Sequence, residues 1–364
     1  MLPITRTRQQ CHHGFSLIEL MIAMAIGLFG VLIMVQVFSM SEANKRVSTS
    51  GNDAMNEGVV SLYAVQREVR MAGFGIADTR ILGCNLLLRA GVTLVAMAPV
   101  TINHASIPAG DTNTDTLLVV YANTDGSPQG DLITAAPAAD QFTVQTNAAF
   151  AVNDWVVVAP FIRTCATTAA PLTPSLTLTQ VASIAAPSIT VTAGTGEVLP
   201  AVVMPLYPTV FNFGQRMPRV MAYAIRSGNL TVCDYSISNC GATGSVGDAA
   251  VWVPIGSNIV SLRAQYGRDT AAAGAMDGAV DVYDQTTPTT ACGWVRISAL
   301  RLALVARSAQ PAAAATTAAP VWDGSANAPI DLTGNTAWQN YRYKVFQTVA
   351  PLRNIAWMGR VTGC

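Results

Sequence analysis

The sequence predicts an α+β fold, in which one long N-terminal helix is followed by a mainly antiparallel β head. Residues 15–41 are almost wholly apolar, and a helix needs about 20 such residues to cross a bilayer. An amphipathic pattern continues the helix to about residue 75, and no proline occurs between Pro3 and Pro99. From residue 76 onward, β-branched residues alternate with polar ones between turns rich in glycine and proline, which is typical of strands.

The segment before the apolar run is basic. Residues 1–14 contain Arg6 and Arg8 and no acid, and such a leader keeps the N-terminus in the cytoplasm. A secretory signal is cut after its apolar core, at small residues, but no such site is clearly placed here. The alternative cut lies before the core, between Gly14 and Phe15.

Glu19 is the only charged residue between Phe15 and Ser41. A carboxylate in a membrane helix costs free energy unless it finds a partner or stays close to water. Glu19 is therefore either a tolerated acid that reaches the interface or a residue that pairs with a specific group inside the membrane.

Beyond the membrane segment, small and apolar residues recur at gaps of three and four, as on one face of a helix. They are Met40, Ala43, Val47, Gly51, Ala54, Gly58, Leu62, Val65, Val69 and Ala72. Gly51 and Gly58 predict a bend or soft spot, and Gly73 and Gly75 predict the end of the helix.

Ten strands are predicted in the head from alternation and β-branched content. They are 115–122, 141–145, 155–159, 175–183, 188–193, 219–226, 229–235, 258–267, 295–307 and 341–350. Helix remains an alternative for 295–307, where alternation is less clean. Ser-Gly-Asn after Arg226 predicts a hairpin turn.

The composition is poor in charge. Charged residues make up 12% of the chain, about half the usual share of roughly 25%. The formal net charge is zero, and removal of the leader leaves 19 basic and 21 acidic residues. No basic patch indicates nucleic-acid binding.

The cysteines indicate disulfides. Removal of residues 1–14 takes away Cys11 and leaves Cys84, Cys165, Cys233, Cys240, Cys292 and Cys364. An even set on the exported side favours disulfide bonds. Cys233–Cys240 is the favoured pair, and Cys364 predicts a pinned chain end with an unknown partner. The alternative is that some of these are free, buried thiols.

Two features of the head raise the question of chemistry. Asp269, Asp277, Asp281 and Asp284 surround Gly278, and closely spaced oxygen ligands suit Ca²⁺. Their spacing does not fit an EF-hand, and a solvated turn between strands is the favoured interpretation.

His104 is the sole histidine after the leader, and no G-x-S-x-G motif accompanies it. We interpret it as a solvated loop residue and predict no catalytic residues, no cofactor and no enzymatic activity.

Residues 14–20, GFSLIEL, resemble the class III signal of type IV pilins and type II secretion pseudopilins. The resemblance implies that a prepilin peptidase cleaves after Gly14 and methylates Phe15. Glu19 becomes the fifth mature residue, and its carboxylate neutralises the Phe15 amine of a neighbouring subunit.

Further blocks resemble the PilW family of minor pilins. They are YAVQREVRMAGFG, AYAIRSGNLTVCDY, SNIVSLRAQYGRD, VRISALRLALVARS and YKVFQTVAPLRN, whereas residues 76–215 match poorly. The resemblance implies a pilin-like head, similar to that of minor pseudopilin J of type II secretion. Relatives carry a denser acidic pattern in the loop 268–284, where this chain is rich in alanine.

The family resemblance also implies a domain organisation. Residues 1–14 are the leader, 15–40 the transmembrane helix, 41–75 its amphipathic continuation and 76–364 a periplasmic or extracellular head. The chain spans the inner membrane once, with a cytoplasmic N-terminus, before it enters the pilus at the cell surface.

The function expected from these features is that of a minor pilin that initiates type IV pilus assembly and lies at or near the tip. The implied partners are the prepilin peptidase, other minor pilins, the major pilin, inner-membrane assembly machinery, a PilY-type tip adhesin and membrane lipid. The alternatives are a minor pseudopilin of type II secretion and a membrane-anchored adhesin or enzyme.

Overall fold

The computed structural model describes residues 14, 16–123, 129–159, 176–192, 208–272, 275–311, 317–325, 328–356, 361 and 364, without the side chains of 43, 44 and 46–48. The chain divides into two compact units, Met1–Gly51 and Asn52–Cys364. One helix, α1 (Leu17–Met71), contributes to both units. Together with the sheets described below, it confirms the predicted α+β class.

Most of the secondary-structure elements described in the second unit are strands. In chain order they are β1 (Leu86–Arg89), β2 (Val92–Leu94), β3 (Val100–Ile102), β4 (Leu117–Tyr121), β5 (Asp131–Ala138), β6 (Gln141–Val144), β7 (Trp155–Ala159), β8 (Leu176–Ala185), β9 (Ser188–Thr192), β10 (Thr209–Gly214), β11 (Arg219–Arg226), β12 (Asn229–Asp234), β13 (Val253–Gly256), β14 (Ile259–Arg268), β15 (Val282–Asp284), β16 (Ile297–Arg307) and β17 (Tyr343–Pro351). Two short helices, α2 (Ala291–Val295) and α3 (Arg353–Ala356), and two 3₁₀ turns, Thr243–Ser245 and Trp338–Asn340, complete the described elements.

All ten predicted strands are present, with ends that differ by a few residues. The ambiguous segment 295–307 resolves into the end of α2 followed by β16. Seven further strands escaped prediction: β1, β2, β3, β5, β10, β13 and β15. Several of these have only three or four residues, too few to show alternation.

The strands form three sheets. Two of them, β13-β12-β11-β4-β3 and β15-β14-β16-β17, contain only antiparallel neighbours. In the third, β2-β1-β8-β7-β10-β5-β6-β9, strand β8 also pairs with β9. That pairing closes the strands β5–β10 into a six-stranded barrel. Apolar side chains fill it, among them Phe142, Val156, Ile189 and Val210, as expected for so small a barrel.

Part of α1 within the second unit packs against the two antiparallel sheets. Ala54, Val65, Val69 and Ala72 belong to one buried cluster with residues of β14 and β16 such as Leu302. The buried positions recur at the gaps predicted from the sequence, and they belong to the amphipathic face of the helix.

Gly58 permits a close approach between helix and sheet. A Cβ atom at this position would lie 2.1 Å from Cε2 of Phe346 on β17. Helix α1 is unbroken across Gly51 and Gly58, so the glycine at 58 serves packing, although it lowers helix propensity. The predicted bend at Gly51 stays a prediction.

The end of α1 follows the prediction. Gly73 and Gly75 have φ angles of +82° and +70°, which glycine adopts without the Cβ penalty. The amide of Gly73 donates a hydrogen bond to the carbonyl of Val120 at 2.9 Å. The predicted hairpin is also present, with Ser227 and Gly228 at positive φ between β11 and β12.

A side chain from beyond β17 caps the C-terminus of α1. Nδ2 of Asn354 donates to the carbonyl of Ala72 at 3.0 Å and to that of Met71 at 3.1 Å. The last carbonyls of a helix have no partner within it, so Asn354 satisfies groups that would otherwise depend on water. Nearby, Nε2 of Gln66 donates to Oγ1 of Thr348 at 2.9 Å.

Replacement of Asn354 tests this cap. We expect Asn354→Ala to lower the free energy of unfolding by about 1 kcal/mol, because a typical hydrogen bond contributes that much. Asn354→Asp should cost more, since a carboxylate cannot donate and lies near the negative end of the helix dipole. Chemical unfolding of the full chain in detergent measures both. Equal stability of Asn354→Asp and the native chain would contradict the capping role.

Candidate functional site: the N-terminal helix and the aspartate loop

Glu19 lies in the first turn of α1 and is exposed. The backbone N–H of Ser16 donates to its Oε2 at 3.4 Å, and the N–H of Glu19 donates to Oγ of Ser16 at 3.3 Å. This reciprocal arrangement is a capping box. It places the carboxylate next to the backbone that follows Phe15. Sequence reasoning missed Ser16, although the pattern Ser-x-x-Glu before an apolar run is its signal.

The helix that follows has the length and composition of a membrane span. The stretch Leu17–Glu42 is 26 residues long and mainly apolar, and none of its most apolar 18 residues is buried within the structure. Leu17, Met24 and Phe38 are each more than two-thirds exposed. So large an apolar surface requires a nonaqueous environment or protein partners.

The predicted processing site lies at the boundary of the described residues. Gly14 is exposed, whereas Phe15 lies outside the described residues. Cleavage between them and methylation of Phe15 therefore remain predictions.

Two disulfides lie within the described part of the head. Cys233 and Cys240 are joined, which is the pair that the sequence favoured. Cys292 is joined to Cys364, which supplies the unknown partner of the pinned chain end. Cys84 is also disulfide-bonded, and Cys165 lies outside the described residues.

The four aspartates of the loop 268–284 accept hydrogen bonds from backbone amides of the loop or pair with neighbouring side chains. Oδ2 of Asp269 accepts from the amides of Asp277 and Gly278, each at 2.8 Å, and Oδ1 accepts from Ala271 at 2.9 Å. Asp281 accepts from the amide of Thr270 at 2.7 Å, and Asp284 pairs with Arg268.

These contacts do not assemble a metal site. Among the described residues, no group of three or more His, Cys, Asp or Glu side chains is arranged to hold a metal ion. The structure thus does not bring together the calcium ligands considered from the sequence. The favoured alternative, a solvated turn between strands, was also incomplete. Asp269 is only 2% exposed, and its carboxylate accepts hydrogen bonds from three backbone amides of the loop.

Asp269 has a shifted pKa. Desolvation raises it, but the three backbone donors and the guanidinium of Arg296 outweigh this effect and hold the pKa of Asp269 below its usual range. Nη1 of Arg296 lies 3.6 Å from Oδ1 of Asp269 and also donates to the carbonyl of Ala271 at 2.6 Å. Asp269 therefore links the loop to the start of β16.

His104 is buried, so its assignment as a solvated loop residue was wrong. Its Nε2 lies 2.7 Å from the carbonyl of Val95, and its Nδ1 accepts from the amide of Ser106 at 3.1 Å. Burial lowers the pKa of His104, and the hydrogen bond to Val95 opposes this effect. Both ring nitrogens bind backbone, which indicates a structural role for this histidine.

The pKa of Asp269 predicts an acid-dependent loss of stability. A depressed folded-state pKa contributes stability above the unfolded value of about 3.9, and the contribution disappears as the pH falls through the folded value. We expect Asp269→Asn to be less stable than the native chain at pH 7, by about 1–3 kcal/mol for a buried acceptor that loses partners. The difference should shrink between about pH 5 and pH 2.

Urea unfolding of both proteins across this pH range makes the measurement. Asp248→Asn, at an exposed loop aspartate, is the control, with an expected change within about 0.5 kcal/mol. A difference between Asp269→Asn and the native chain that is constant with pH would contradict the assignment.

Comparison with known proteins gives two matches. Residues 229–354 match the family described as Type IV Pilus-assembly protein W, and residues 10–35 match the Prokaryotic N-terminal methylation motif. The first match covers β12 to β17 and the cap Asn354, and the second covers Gly14, Glu19 and the start of the apolar span. No curated protein and no solved structure matches the chain.

The two matches bear out the resemblance read from the sequence. They support a pilin related to type IV pili, with a membrane anchor and with pilus components such as other pilins as partners. The family is structural rather than catalytic. The chain is thus similar to type IV pilus-assembly protein W over residues 229–354 and to prepilin-type N-termini over residues 10–35.

Proposed function

We propose that this protein is a minor pilin that takes part in initiating type IV pilus assembly and is incorporated at or near the pilus tip. The observation that carries the proposal is a single carboxylate, Glu19, in the first turn of an exposed apolar helix in a chain whose head matches the PilW family. A filament subunit needs both parts, since the helix packs among other helices and the head determines which subunits meet.

The proposed processing creates the partner of Glu19. Cleavage after Gly14 by a prepilin peptidase leaves a methylated amine on Phe15, in or near the membrane. A Glu19 carboxylate neutralises this amine on the adjacent subunit. In a low dielectric such a pair is favourable chiefly relative to leaving each charge alone, so it selects register and recruitment more than it adds stability.

The capping box gives the Glu19 carboxylate a hydrogen-bond donor within its own chain, which competes with the amine of a neighbouring subunit. Oε2 of Glu19 accepts weakly from Ser16, at 3.4 Å, immediately after the residue that would carry the amine. Before assembly, the Glu19 carboxylate therefore lies beside the N-terminal end of α1, close to the position of the proposed amine. When the Glu19 carboxylate pairs with the amine of a neighbouring subunit, it loses the weak hydrogen bond from Ser16 and gains a charge pair.

The proposal includes location and partners. The proposed leader of residues 1–14 and the proposed span of residues 15–40 support a location in the inner membrane, with the head of residues 76–364 outside the cytoplasm. Other minor pilins, the major pilin, the inner-membrane assembly machinery and a PilY-type tip adhesin are the proposed partners. A minor pseudopilin of type II secretion is the rival function, because it shares the N-terminal chemistry.

Replacement of Glu19 tests the charge pair. We expect Glu19→Ala to be cleaved after Gly14 as efficiently as the native chain, with N-methylphenylalanine at its new N-terminus by mass spectrometry. Its amount in sheared pili should fall at least tenfold, because each incorporated copy leaves an amine unpaired in low dielectric. Glu42→Ala, at the other end of the span, is the matched control. Normal entry of Glu19→Ala into pili would contradict the pairing.

Deletion of the gene separates the two functions. We expect a deletion strain to lose most surface pili, counted by electron microscopy, while the amount of type II exoprotein in the medium stays unchanged. The native gene supplied on a plasmid should restore piliation. Loss of exoprotein with intact pili would identify a pseudopilin.

A further inference from the structure

Strand β17 is the last strand of the four-stranded sheet β15-β14-β16-β17. Its register with β16 is complete, from Ala299 opposite Pro351 to Arg307 opposite Tyr343. Within the described residues no strand pairs with its other side. An unpaired edge of nine residues offers backbone donors and acceptors to another strand.

The register determines which backbone groups face the free edge. The amides of Leu352 and Ser308 donate to the carbonyls of Ser298 and Arg342, which continues the ladder at even-numbered residues of the C-terminal strand. Hydrogen-bonded and non-bonded pairs alternate in an antiparallel ladder. The backbone groups of Val345, Gln347 and Val349 therefore point away from β16.

This edge lacks the usual protection against pairing. Natural edge strands are blunted by charged side chains, prolines or bulges. The nine residues of β17 contain one charge, Lys344 near the beginning, and one proline, Pro351 at the end. Their register with β16 has no bulge, and Val349 between them is 46% exposed.

Beside this edge, α1 presents an apolar flank. Met55, Val59 and Tyr63 are 48%, 56% and 64% exposed, and their spacing of four places them along one side of the helix. Gln66, seven residues after Val59, continues that side and binds Thr348 of β17. The flank therefore borders β17, and the sheet ends before it has covered the helix.

We propose that an uncharged, extended segment from the head of another pilin subunit adds to β17 as a further strand. Its backbone bonds to Val345, Gln347 and Val349, and its alternate apolar side chains cover Met55, Val59 and Tyr63. Main-chain hydrogen bonds provide affinity in such strand addition, and side-chain contacts provide specificity. The identity of the partner class rests on the proposed function, whereas the strand addition rests on the edge and the flank.

Hydrogen exchange tests the strand addition directly. The full chain is purified in detergent from its own cells, with the pilins that co-purify, and from a host that contains no other pilins. In the first sample we expect the amides of Val345, Gln347 and Val349 to exchange at least tenfold more slowly than in the second, since paired edges are protected. Equal rates, or the absence of any co-purifying pilin, would overturn the proposal.

A pair of substitutions separates the edge from general damage. Val349→Pro removes an outward amide that β16 does not use, and proline is tolerated on such an edge. We expect it to lose at least nine-tenths of the co-purifying pilin, whereas Val349→Ala, which keeps the amide, retains it. Full retention by Val349→Pro would overturn the proposal.

The helix flank has its own control. Val59→Asp should weaken co-purification and Val60→Asp, equally exposed on a different side of the helix, should not. Equal loss in both would indicate helix-to-helix packing and would overturn strand addition. If the protection is present but Glu19→Ala still enters pili, the strand addition stands and the charge pair fails, so the two proposals are distinguishable.

Discussion

Helix α1 must satisfy two different surroundings along one continuous run of 55 residues. Over Leu17–Glu42 it is apolar and unburied, which suits hydrocarbon or other helices. From Ala54 onward one face is buried, and the two antiparallel sheets supply its contacts, whereas Met55, Val59 and Tyr63 form an exposed apolar flank. The change from an all-round apolar surface to a stripe is the change expected where a helix leaves a membrane for a protein interior.

The head packs against the buried face of α1 from Ala54 onward. Gly58 lets Phe346 approach the helix, and the side chain of Asn354 donates hydrogen bonds to the last carbonyls of the helix. Both partners lie at the end of the family match, which runs over residues 229–354. The match therefore includes part of the surface that packs against the helix, and other residues of the same buried cluster, such as Val119 and Tyr223, lie outside it. The six-stranded barrel of β5 to β10 lies outside that match, and its buried cluster contains no described residue of α1.

The sequence predicted features that arise from local chemistry. The helix stripe, the terminal glycines, the Ser-Gly-Asn turn and ten strands all depend on residues close together in the chain. Apart from seven strands, several of them too short to show alternation, what escaped prediction depends on residues distant in the chain. Burial of His104 follows from Val95 and the surrounding packing, and the cap by Asn354 spans a separation of 282 residues. The closure of the barrel needs β8 to pair on two sides, which no local pattern encodes. The aspartates near Gly278 suggested cation ligands by composition alone, whereas their hydrogen bonds show loop-forming acceptors.

Disulfides and a buried aspartate hold loops of the head in place, in a chain that contains few charged residues. The bond between Cys292 and Cys364 holds the chain end beside Arg296, whose guanidinium in turn donates to the backbone oxygen of Cys364 at 3.2 Å. Arg296 also contacts Asp269, which organises the loop before β15. Covalent and buried polar links of this kind keep loops in place, whereas surface ion pairs contribute little to stability. A surface with so few charges leaves edges such as β17 free to pair, because repulsion and desolvation of charge are what normally prevent it.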